Sequence, residues 1–132
     1  MIARRMSSAL GLAAVLLAVA CGGNVVGPDN QLQVSNNTDN FQFQVSTLNN
    51  VKQTFTYQWT NTGTTANVNK SCSISGGSAS LTIEDAAGTQ VFSGDLAVNG
   101  TVTTTAGTAG TWTITVEMKG VSGALNFRVQ TP

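Results

Sequence analysis

The dominant hydrophobic period from Leu32 onward is two, and only an extended chain with one buried face and one wet face satisfies that period. Phe41, Phe43 and Val45 alternate with Gln42, Gln44 and Ser46, and Phe55, Tyr57 and Trp59 alternate with Thr54, Thr56, Gln58 and Thr60. Leu81 and Ile83 do the same against Thr82 and Glu84. So do Trp112, Ile114, Val116 and Met118 against Thr113, Thr115 and Glu117, and Leu125, Phe127 and Val129 against Asn126 and Arg128. These five strands are joined by shorter runs at 31–35, 64–69, 89–93 and 100–105, which bring the expected number to seven to nine.

Local chemistry agrees with that reading. Nineteen of the 132 residues are Thr, whose branched Cβ loses rotamer freedom on a helix and suits a pleated surface. Turn formers fall between the runs: Asn61-Thr-Gly63, Asp85-Ala-Ala-Gly88, Ser93-Gly-Asp95, Asn99-Gly100 and Lys119-Gly120. The sequence therefore predicts an all-β fold, an antiparallel β-sandwich of immunoglobulin-like or jelly-roll-like kind over residues 31–132. Periodicity alone leaves a ligand-filled barrel open.

A different grammar governs the start of the chain. Arg4 and Arg5 precede residues 9–20, twelve positions without a charge, which is the n-region and h-region of a secretory signal peptide spanning residues 1–20. The run is too short for a membrane span, which needs roughly 20 apolar residues. It ends Leu17-Ala18-Val19-Ala20-Cys21, which resembles the lipobox of bacterial lipoproteins. That resemblance implies diacylglycerol on Cys21, which becomes the first residue of the mature protein and holds it to a bacterial membrane on the periplasmic or cell-surface side. Ala18 stands where the lipobox more often has Leu, and Ala18-Val19-Ala20 equally satisfies ordinary signal cleavage at the same bond. Gly22 rather than Asp follows the cysteine, a pattern compatible with an outer membrane. Residues 21–30, rich in Gly, Asn and Pro, read as a flexible tether, which would keep the domain within roughly 30 Å of the lipid.

Removing the signal leaves Lys52, Lys70, Lys119 and Arg128 against Asp29, Asp39, Glu84, Asp85, Asp95 and Glu117, a net charge of −2. Four scattered cations form no phosphate-binding patch, so nucleic acid is excluded as a partner, and so is electrostatic docking on anionic lipid. If Cys21 is lipidated, Cys72 has no intramolecular partner; if not, a bridge between Cys21 and Cys72 becomes available in an oxidising compartment. Cys72 shares a strand face with Ile74 and reads as a small buried hydrophobe.

Residues 80–91, 106–116 and 122–127, containing Ser80-Leu-Thr-Ile-Glu-Asp, Gly110-Thr-Trp-Thr-Ile-Thr-Val116 and Ser122-Gly-Ala-Leu-Asn-Phe127, resemble the closing strands of bacterial pre-peptidase C-terminal domains and related jelly-roll accessory modules. Trp112 stands where that family more often has Tyr. The resemblance implies an accessory β-sandwich on an exported protein, an interaction or stabilising module.

Catalytic chemistry has little to draw on. The chain contains no histidine, which removes the usual activation of Ser or Cys nucleophiles and the commonest zinc ligand. A carboxylate-based hydrolase would need two of Glu84, Asp95 and Glu117 about one bond, although Glu84 and Glu117 fall on wet strand faces. Calcium would draw on Glu84, Asp85 and Asp95, or on Asp39 with Asn36 and Asn37, but neither set has the dense Asp-x-Asp spacing of a calcium loop, and no metal or cofactor is expected. Tyr57, Trp59 and Trp112 lie on the inward parity, where core packing is their ordinary role. Trp59, near a strand end, and Phe92, which breaks the local alternation beside Val91, are the candidate ligand contacts. The expectation is a non-enzymatic, lipid-anchored envelope protein with a protein or glycan partner. The alternatives are a small-ligand or glycan-binding lipoprotein and a divergent carboxylate-based hydrolase.

Overall fold

Alternating segments become strands at every place the period of two was read. In the computed structural model, which describes residues 24–132, these are β1 (Gln33–Asn37), β2 (Asn40–Asn61), β3 (Asn67–Lys70), β4 (Ser73–Glu84), β5 (Gln90–Asp95), β6 (Gly100–Thr103) and β7 (Gly110–Gln130), with one 3-10 turn at Pro28–Asn30. The signal peptide and Cys21 lie outside the described residues. No helix among the described residues is long and apolar enough to cross a membrane.

All pairings are antiparallel and join the strands into one seven-stranded sheet. β7 is its hub. One edge of β7 pairs with β2 along almost its full length, from Asn40 opposite Gln130 to Asn61 opposite Gly110. Its other edge pairs first with β4 and then with β3. β1 extends the sheet beyond β2, β6 beyond β3, and β5 beyond β4.

The single sheet makes both layers of a sandwich because its long strands are creased in the middle. Phe41 and Tyr57 both belong to β2, and sixteen residues of straight strand would separate them by roughly 50 Å. Their ring centroids are 5.3 Å apart. The reversal occurs where the β2–β7 register shifts between Val45 and Lys52 and the β4–β7 register shifts between Ile74 and Ser78. Positive φ angles line up along this crease: Thr47 (55°) and Asn50 (52°) in β2, Gly77 (70°) in β4, and Gly120 (69°) and Gly123 (124°) in β7. Bulges of this kind bend a strand sharply while pairing continues on either side. Two of the expected strands, 41–45 and 55–59, are thus halves of β2, and two more, 112–118 and 125–129, are halves of β7. Lys119-Gly120, expected as a turn between strands, lies in the crease of β7.

One layer therefore contains β1, the first half of β2, the second half of β7, β3 and β6, and the other contains the second half of β2, the first half of β7, β4 and β5. Inward residues of both meet in one core. Phe41, Phe43, Val68, Leu125, Phe127 and Val129 face Trp59, Leu81, Ile83, Trp112, Ile114 and Val116, all at most 1 % exposed. Phe43 stacks on Phe127 across the β2–β7 pair at 5.2 Å. Trp59 lies opposite Trp112 in register, edge to face at 6.0 Å, a geometry that suits the ring quadrupoles.

The crease also gives the sandwich two unlike ends. At the creased end are the bends of β2, β4 and β7, the loop 96–99 and residues 24–32. At the open end are the loops 62–66, 85–89 and 104–109, together with Asp39 and Thr131. About ten residues of β2, at roughly 3.3 Å each, separate the two ends.

Candidate functional site

The sequence expectation centres on Cys21, which lies outside the described residues, and the site is taken up at Asn24, where the described chain begins. Residues 24–30, read from composition as part of a tether, lie against the creased end. The Lys52 N–H donates to the Asn24 carbonyl at 2.8 Å, and the Val26 N–H donates to Gln53 Oε1 at 2.8 Å. Asn30, 9 % exposed, accepts the Gly27 N–H at 2.8 Å and donates to the Ser46 and Thr47 carbonyls at 3.1 and 2.8 Å. Those two carbonyls belong to the bend of β2, where strand pairing is interrupted and backbone groups need other partners. Pro28, at the first position of the 3-10 turn, gives up an N–H that would have had no partner there.

This docking leaves a shallow open groove of about 370 Å³, lined by Val25, Gly27, Pro28, Asp29, Asn30, Thr47, Asn49 and Val51. Asp29 is its one charged residue. Three peptide units separate Cys21 from Asn24, at most about 11 Å of extended chain. An anchor on Cys21 would hold the creased end, rather than a freely swinging domain, near the lipid.

The sequence-predicted ligand contacts are placed differently from one another. Trp59 is 1 % exposed, packs on Trp112, and donates its indole N–H to the Asn37 carbonyl at 2.9 Å. Phe92 is half-buried and pairs with Ile83 at the β5 edge. The Lys70 Nζ stands 5.6 Å from its ring centroid and donates to the Asp95 carbonyl at 3.5 Å. Lys70 is itself only 6 % exposed, so its stem and Phe92 together close the gap between the layers on that side.

The carboxylates do not converge. Asp95 and Glu117 both pair with Ser80 and so share the outer face of the second layer, two strand spacings or roughly 10 Å apart. Glu84 lies four residues further along β4. The Asp95 Oδ1 accepts the Ala97 N–H at 2.8 Å, as a turn-forming Asp does.

Asp39 and Asp85 instead fasten the open end. Asp39, in the left-handed region with φ 65°, accepts the Thr62 N–H and hydroxyl, each at 2.7 Å, and the Thr131 hydroxyl at 2.9 Å. The Thr62 N–H, then the Thr62 and Thr131 hydroxyls, hold its carboxyl below the ordinary aspartate value. Asp85, 6 % exposed, accepts N–H groups from Ala87 and Thr89 on Oδ1 and from Thr108 on Oδ2, at 2.8 to 2.9 Å. The Thr108 N–H, followed by that of Thr89, holds its pKa below the ordinary aspartate value against the opposing effect of burial. Both acids are thus occupied by donors of this chain. Among the described residues no three of His, Cys, Asp and Glu come together in a metal-binding group.

Cys72 is 8 % exposed. Its sulfur receives the Asn126 N–H at 3.3 Å, and burial pushes the thiol up despite that bond and the charge of Lys70.

One feature escaped the sequence pattern. Phe55 and Tyr57 share the inward parity yet are only half-buried, because the second half of β2 is an edge of its layer. Their rings lie nearly parallel, 9° between planes and 6.2 Å between centroids. Alternation reports which side of a strand a residue faces, not whether its strand is an edge.

No family model matches the chain, and no curated protein matches it.

Proposed function

We propose that this chain is a non-enzymatic protein of a bacterial cell envelope, held to the membrane by diacylglycerol on Cys21 and carrying its β-sandwich as an interaction or structural module. The observation that carries this reading is Leu17-Ala18-Val19-Ala20-Cys21, which closes the uncharged run 9–20 that follows the pair Arg4 and Arg5. The resemblance of residues 80–127 to accessory sandwiches of exported proteins supports it. So does the arrangement of the carboxylates, which either fasten loops or stand apart on a flat face.

The mass of the mature N-terminus tests the reading. The expected result is a chain beginning at Cys21 with the added mass of diacylglycerol, and a Cys21→Ser variant that leaves the membrane fraction. A bare Cys21, or a Cys21 to Cys72 disulfide, overturns the anchor.

A glycan-binding role is the second reading, favoured by the half-exposed Phe55 and Tyr57 pair, since parallel aromatic faces at a sheet edge suit the apolar faces of sugar rings. Titration of envelope glycan fragments, followed by intrinsic fluorescence, would then show saturation that Tyr57→Ala removes.

A further inference from the structure

Resting on the reading of Cys21 as the lipid anchor, we propose that the creased end of the sandwich sits on the phospholipid surface and the open end points away from it. The first support is the length of chain between anchor and domain. Asn24 is already hydrogen-bonded to Lys52, so Cys21 lies within about 11 Å of the creased end along the chain. The open end, roughly 30 Å away along β2, is beyond that reach.

The second support is independent of the anchor. Large hydrophobic side chains left exposed are Val25 (54 %), Leu32 (37 %), Val34 (37 %), Val98 (62 %) and Val102 (46 %). The two most exposed, Val25 and Val98, both belong to the creased end. Val25 lies in the docked segment beside Lys52, and Val98 lies in the loop whose Asn99 bonds both backbone groups of Cys72. Leu32 precedes Gln33, which pairs with Gln44 next to the bend. Val34 lies mid-strand opposite Phe43, and Val102 lies on the β6 edge nearer the open end, opposite Val68. Apolar side chains on a surface held against lipid gain by entering the interfacial region, whereas the same side chains facing water do not.

The orientation leaves the loops fastened by Asp39 and Asp85 as the face presented to other molecules. It also places the groove beside Val25 against the lipid, where a soluble partner has no access.

The test uses the full chain extracted from cells and reconstituted into vesicles of phosphatidylethanolamine and phosphatidylglycerol. Single cysteines at Val98→Cys or Thr64→Cys carry an environment-sensitive fluorophore, and a headgroup spin label serves as quencher. Lipidated Cys21 offers no thiol, and Cys72 is buried. Quenching at Val98→Cys at least about threefold that at Thr64→Cys is expected from the separation of the two ends. Equal quenching, or stronger quenching at Thr64→Cys, overturns the orientation while leaving the anchor intact. The N-terminal mass measured on the same sample keeps the two claims apart: an unlipidated Cys21 overturns the anchor and the orientation with it.

Discussion

Trp59 donates its indole N–H to the carbonyl of Asn37 at 2.9 Å, and this bond ties the two layers of the sandwich at the open end. Asn37 closes β1 in one layer, and Trp59 stands near the end of β2 in the other. Asn36 repeats the link, its side-chain amide donating to the Gln58 carbonyl at 2.8 Å. Trp59→Phe keeps most of the apolar contact but removes the donor. The expected loss of stability is roughly 1–3 kcal/mol, the usual range for a broken part-buried hydrogen bond with its lost packing. Urea unfolding followed by Trp112 fluorescence measures it, and an unchanged midpoint would show that the bond contributes nothing net.

The crease makes glycine a requirement at Gly77 and Gly123. Each has a positive φ, and a Cβ at Gly77 would fall on the Gly120 carbonyl, as one at Gly123 would fall on that of Ser73. Gly77→Ala or Gly123→Ala is expected to destabilise by about 3 kcal/mol or more, among the larger effects of single substitutions. Gly27→Ala is the control: its φ is −130°, nothing lies within 4 Å of the added carbon, and the change should be within about 0.5 kcal/mol. Equal midpoints for all three variants would contradict the crease.

Asp85 and Asp39 both have folded-state pKa values below their unfolded ones, because N–H and hydroxyl donors favour the charged form. For such a group the stabilisation is complete above the unfolded pKa, about 3.9. It is lost as pH falls through the lower folded value, where the native carboxylate takes up its proton. The melting temperature should therefore fall as pH drops below about 4. Asp85→Asn should lower stability at neutral pH and flatten this acid limb, since its amide cannot accept all three N–H groups and does not titrate. A variant whose acid limb is as steep as the parent's would remove Asp85 as its source.

Cys72 should be unreactive in the folded protein. Burial covers the sulfur and raises the thiol, so little thiolate forms. Iodoacetamide at pH 8 is expected to leave Cys72 unmodified in the native chain and to label it fully in urea, as read by mass. Rapid labelling without denaturant would mean that the β3–β4 connection opens readily.

Much of the fold was legible because one rule sufficed for it. Phe41, Phe43 and Val45, or Trp112, Ile114 and Val116, face inward as their alternation requires, since a strand with one wet face places every second residue in the core. The continuity of β2 and β7 through Thr47 and Gly120 was not legible. A glycine or an asparagine with positive φ serves a hairpin turn and a strand bulge equally well, and the choice is made by partners 70 residues away in sequence. The docking of Asn24–Asn30 was hidden for a related reason: Gly, Pro and Asn favour turns in a free tether and in a docked one alike. For the candidate site, the wet faces of Glu84 and Glu117 were legible from alternation, whereas Cys21 lies outside the described residues. The sequence had no means of indicating that Phe55 and Tyr57 would lie at an edge while Trp59 lay inside.

The place of β7 in the sheet also bears on when folding can occur. β7 follows in the chain every strand that it pairs with, and among the described residues it is the one strand that links β2 to β3 and β4. Until it is synthesised, neither layer has its central strand, and β2 faces no partner except the short β1. Pairings this distant in sequence form late and slowly. A ribosome-bound chain lacking residues 110–130 therefore has no stable sandwich to assemble, and its earlier strands wait unpaired until the final stretch of chain is made.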